Sequence, residues 1–106
     1  MLRIYEDALA VLREVRPMIE EIGRFDLDLA RQLRRCGASM ALNIAEGSYA
    51  RAGNRRALFA VALGSTKEAR ACLDVARAFG YVGEIDAGLL ELFERIGGVL
   101  YKLTRG

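Results

Sequence analysis

The chain has 106 residues, 16 of them Lys or Arg and 14 Asp or Glu, so its formal net charge at pH 7 is only +2. That length holds one core and no second domain, and 53% hydrophobic with 28% charged residues fits neither a disordered chain nor a membrane-embedded bundle. The complete absence of His removes Ser-His-Asp triads, HExxH zinc sites and Glu-x-x-His di-metal bundles.

Four stretches of helical periodicity follow one another, and the expected helices cover about 3–22, 27–49, 54–79 and 85–104 of a single domain, 1–106. In the first, Tyr5, Ala8, Leu12, Val15, Ile19 and Ile22 recur at spacings of three and four and so share one face. Pro17 falls inside this pattern and predicts a kink, not a full break, because it lacks a donor and crowds the carbonyl of Arg13. Asp26 is a natural N-cap for the second helix, whose inward stripe is Ala30, Leu33, Gly37, Met40 and Ile44. The third is expected to be capped by Asn54, to bury Leu58, Ala62, Ser65, Ala69, Cys72, Ala76 and Phe79, and to end at Gly80 in the left-handed conformation. Asp86 or Glu84 opens the last helix, with Ile85, Leu89, Leu92, Ile96, Val99 and Leu103 inward. Loops this short make successive helices antiparallel neighbours, so the fold class is an all-α, up-down-up-down four-helix bundle.

Compartment and redox state follow from what is missing. The longest uncharged apolar run, 57–66, is far below the ~20 residues that span a bilayer. Arg3, Glu6 and Asp7 interrupt the start before a signal segment can form. A cytoplasmic protein without membrane attachment is expected. Cys36 and Cys72 lie on separate helices without metal-ligand spacing and read as reduced, packed thiols. No metal or other cofactor is expected.

Two features exceed what a monomeric bundle needs. Leu42 stands on the solvent line of helix 2, and Val61, Leu63 and Val75 lie off the stripe of helix 3, beside a row of small residues that includes Gly64. A helix apolar on several sides is buried on several sides, which predicts self-association through these residues. Ser39, Asn43 and Glu46 on helix 2 and Ser65 and Glu68 on helix 3 lie close to the apolar stripes. They read as a satisfied polar joint that fixes register, with Arg55 or Arg56 as ion-pair partner for Glu46. A catalytic carboxylate pair is disfavoured, since Glu46 and Glu68 sit at different heights. No catalytic residue is assigned: there is no P-loop, and Ser65 and Lys67 do not share a helix face.

The stretches Gln32-Leu33-Arg34-Arg35, Ser39-Met40-Ala41-Leu42-Asn43-Ile44-Ala45-Glu46-Gly47, Ala62-Leu63-Gly64-Ser65 with Glu68, and Phe79-Gly80-Tyr81 resemble the four-helix-bundle proteins encoded in intervening sequences of bacterial 23S rRNA genes. The resemblance covers helices 2 and 3, about half the chain; helices 1 and 4 match in length and periodicity. Many members carry Pro near position 41, where this chain has Ala41, which favours an unbroken helix 2. The resemblance implies a left-handed antiparallel bundle and a homopentamer. It also implies a distant relation to the accessory variability protein of diversity-generating retroelements, which is basic and binds nucleic acid and a reverse transcriptase. It implies no established activity.

In such a bundle the N-terminus, the helix 2–3 loop and the C-terminus meet at one end. That end collects Arg3, Arg51, Arg55, Arg56, Lys102 and Arg105 against Glu6, Asp7 and Glu46, whereas Glu20, Glu21, Asp26, Asp28, Glu84 and Asp86 gather at the other against Arg24 and Arg31. A small, non-enzymatic, oligomeric protein binding RNA or DNA backbone through the basic end is therefore expected. The alternative is an interaction scaffold that docks a partner protein and binds no nucleic acid of its own.

Overall fold

In the computed structural model, which describes residues 2–105, four helices follow one another: α1 (Arg3–Gly23), α2 (Leu27–Tyr49), α3 (Ala52–Ala78) and α4 (Ala87–Thr104). There is no strand among the described residues. Helix α1 runs through Pro17 unbroken; Pro17 and Arg13 both face water, so the carbonyl that loses its donor is solvated. Its core face is Ile4, Ala8, Val11, Val15 and Ile22, while Tyr5, Leu12 and Ile19 flank that face half-buried. Asp26 caps α2, accepting from the Leu29 N–H at 2.9 Å, and all five residues of the expected α2 stripe are buried.

Helix α3 begins two residues before the expected Asn54 cap. Ala50 and Arg51 are extended, Ala52 takes φ +39, and no side chain caps the helix. Asn54 is an exposed residue of the first turn. The inward face also turns slightly from the expected one: Phe59 is fully buried and Leu58 only partly, and Phe79 is exposed at the C-cap. Gly80, at φ +77, stops the helix. The Tyr81 N–H then reaches the Ala76 carbonyl and the Gly80 N–H that of Arg77, both at 2.9 Å, which satisfies two orphan carbonyls. Asp86 caps α4 through the Leu89 N–H at 3.2 Å. There Leu89, Phe93, Ile96 and Leu100 form the buried row, and Leu92, Val99 and Leu103 flank it.

Side-chain pairs give the directions. Gln32 meets Glu68, Ser39 meets Ser65, and Ser48 meets Arg55, so numbers rise along α2 as they fall along α3. Asp7 reaches Arg95, and Leu2 and Ile4 share a cleft with Val99, which sets α1 antiparallel to α4. Each helix packs on its sequence neighbour and α1 closes on α4. The bundle measures 42 × 25 × 20 Å. No helix among the described residues is long and apolar enough to cross a membrane.

Candidate nucleic-acid interface

The start of α1, the α2–α3 turn and the end of α4 share one end of the bundle, and all six basic residues expected there stand on those segments. Arg3, Arg51, Arg56, Lys102 and Arg105 are exposed. Arg55 is different. Its guanidinium lies 5.0 Å over the Phe59 ring and donates to the Ser48 carbonyl at 3.4 Å, so it ties the turn to α2. Two aromatics border the cations: Tyr49, 77% exposed, and Tyr101, 54% exposed with the Arg105 guanidinium 5.4 Å over its ring. Tyr101 stands next to Lys102 in the chain, the signal that marks it in the sequence.

Backbone adds to this charge. The helices that begin at the basic end, α1 and α3, have no side-chain cap, whereas those that begin at the other end, α2 and α4, are both capped by Asp. First-turn N–H groups without a side-chain cap and the positive end of the helix dipole therefore point out where the cations cluster, with Glu6 in the first turn of α1. The first turn of α3 contains no acid. Of the carboxylates at this end, Asp7 is nearly buried and held by Arg95 through bonds of 3.0 and 3.3 Å. The expected Glu46 ion pair does not form: Glu46 is exposed and no salt bridge among the described residues includes it. Of the two expected partners, Arg55 is held by Phe59 and Ser48 instead, and Arg56 is exposed and in none of the salt bridges among the described residues.

The polar residues between α2 and α3 form one joint. Ser39 Oγ and Ser65 Oγ are 2.8 Å apart, and the Asn43 amide donates to the Ser39 carbonyl at 2.8 Å and to its Oγ at 3.1 Å. Glu68 accepts from Gln32 at 3.1 Å on the exposed edge. Gly47 belongs to a separate contact: it is the place where α2 touches the buried Phe59 ring. Gly64 has open space around it.

Outside the joint, Leu42, Val61 and Val75 are exposed, at 62, 51 and 41%. Leu63 instead packs half-buried against the core. Cys36 and Cys72 are free and buried. Burial pushes the Cys36 thiol up to about 12, helped by Cys72 and Glu68, and burial likewise raises Cys72. Neither thiol is an available nucleophile at neutral pH. Among the described residues no group of three or more His, Cys, Asp or Glu is placed to hold a metal ion.

A crystal structure of a protein of unknown function from the S23 ribosomal protein family of Bacteroides thetaiotaomicron is similar in fold. It has a TM-score of 0.70 and 16% identity over 96% of this chain and 92% of that one. No curated protein matches the sequence significantly. The family described as 23S rRNA-intervening sequence protein matches residues 1–102, nearly the whole length, and the chain belongs to that family.

Proposed function

We propose that this is a non-enzymatic, cytoplasmic protein that assembles with copies of itself and binds the backbone of RNA or DNA through its basic end. One observation carries the reading: five water-facing cations, two uncapped helix N-termini and two exposed tyrosines converge on the same end. Guanidinium groups and free N–H groups suit phosphate oxygens, and tyrosine rings suit unstacked bases. The contacts proposed are to phosphate oxygens and base faces, so sequence-tolerant binding is expected.

Self-association rests on the outer face of α2 and α3, where Leu42, Val61 and Val75 are exposed together with Ala57, Gly64 and Ala71. A parallel ring, the pentamer that the resemblance implies, sets several basic ends side by side. Light scattering then reads about five times 11.7 kDa; a monomer at micromolar concentration overturns the assembly.

The binding test is a fluorescence-anisotropy titration with single-stranded RNA and DNA, run between roughly 50 and 200 mM salt. The variant Arg51→Ala/Arg56→Ala/Lys102→Ala leaves Arg55 to hold the turn. It is expected to bind at least tenfold more weakly and with a shallower salt dependence, since each lost phosphate contact lowers the slope by about 0.7 for single strands. Equal binding by variant and wild type overturns the proposal.

A further inference from the structure

The seam between α1 and α2 carries a second charged surface, on the side of the bundle and apart from the basic end. Two adjoining cavities of about 330 Å³ each share Ile19, Glu20 and Arg34 along this seam and run from Leu12 to Gly23 on α1. The floor is apolar: Val15 and Leu33 are buried beneath it, Leu12 and Ile19 line it half-buried, and Leu27 stands 55% exposed at one end. Both rims carry arginine: Arg16 stands on the α1 side, Arg31 and Arg34 on the α2 side, and all three face water. The single lining acid, Glu20, meets Arg16 at 4.0 Å with both side chains largely exposed, a pair that water and salt easily replace.

We propose that this groove docks an acidic amphipathic helix of a partner protein. Eleven steps of α1 at 1.5 Å give a groove of roughly 17 Å, about three turns of a bound helix. Such a helix lays an apolar stripe at i, i+4 and i+7 on the floor. Its flanking carboxylates then meet an arginine rim on each side, where charge-assisted bonds fix orientation. Nucleic acid fits less well, because the floor offers aliphatic side chains and no aromatic ring for a base to stack on. Helix α4 of a second copy also lacks the chemistry. The acids of α4, Glu91 and Glu94, lie on a helix whose Leu and Phe side chains turn inward, and its one large exposed apolar residue is Tyr101.

The test uses the full chain and a fluorescein-labelled 15-residue peptide with leucines on one helical stripe and glutamates on both flanks. A scrambled peptide of the same composition is the control. The amphipathic peptide is expected to bind at least tenfold more tightly than the scrambled one. Arg16→Glu/Arg34→Glu should weaken it at least tenfold and Leu27→Ser about threefold. Lys67→Glu/Arg70→Glu, the same charge change on the α3–α4 side, should leave it unaltered. Equal affinity of the scrambled peptide, or equal losses in the two charge-reversal variants, overturns the proposal by reducing it to net charge. A collapse of RNA binding in Arg16→Glu/Arg34→Glu makes the groove a nucleic-acid surface, and a change in its mass by light scattering makes it a contact between copies. Either result also overturns it.

Discussion

Gly47 is held to glycine by one ring: a Cβ built there would lie 2.5 Å from Phe59, which is fully buried and carries Arg55 on its face. Gly47→Ala gains up to about 1 kcal/mol of helix propensity but forces the ring to move in a packed core, at about 1–3 kcal/mol. A net loss of stability is expected by urea denaturation. The two positions should also couple: Phe59→Leu should cost less in the Gly47→Ala background than in the wild type, by about 1 kcal/mol. Strictly additive losses would exclude the contact as the reason for the glycine. The thiols make a different prediction. Cys36 is raised from 9.0 to about 12 by burial, so the folded state keeps a proton that the unfolded chain releases above pH 9. Its contribution is therefore intact below pH 9 and lost as pH rises from 9 toward 12, at up to about 1.4 kcal/mol per unit. Stability of Cys36→Ala should fall less steeply over that window. At pH 8 both thiols should resist iodoacetamide until urea unfolds the chain.

Caps separate the two ends of the bundle at the level of the helix. Asp26→Ala and Asp86→Ala each remove a bond to a first-turn N–H and should cost about 1 kcal/mol. Asn54→Ala, inside the first turn of α3, should cost almost nothing, and a loss equal to that of Asp26→Ala would restore it as a cap. Local chemistry of this kind made the fold legible: Asp26 and Gly80 mark their helix ends from sequence alone, Asp86 is one of two candidates with Glu84, and periodicity gave four helices. Which row of each helix turns inward was less legible, because a helix between two neighbours buries two adjacent rows and a spacing pattern names one. Phe59 rather than Leu58 fills the core for that reason. At the joint, Ser39, Asn43 and Ser65 stood out as polar residues on an apolar side, but their partners depend on the α2–α3 register. Asp7 and Arg95 gave no signal at all, being 88 residues apart and unremarkable in their own helices. The basic end was readable because helix order alone decides which termini meet.

The whole molecule divides its surface by charge and polarity: a cationic end, a more acidic opposite end, and an outer α2–α3 face that carries apolar side chains without a partner in the monomer. Positions 57, 61, 64, 68, 71, 75 and 78 of α3 alternate at steps of four and three, so they form a seam of the kind that packs one helix on another. Six of those seven are Ala, Val or Gly, and all are exposed. Val61 is the central test, because it stands 51% exposed in the monomer. Val61→Asp should leave the helical circular dichroism unchanged, since a surface carboxylate on α3 disturbs no core contact. In the proposed assembly the same carboxylate is desolvated in a seam that already holds Glu68, and is unfavourable. The mass by light scattering should fall toward that of one chain while the fold persists. RNA affinity should fall with it and show a shallower salt dependence, because separated basic ends neutralise fewer phosphates at once than a ring of them. An unchanged mass for Val61→Asp would place the contact between copies elsewhere. A lowered mass with unchanged RNA affinity would mean that a single basic end suffices.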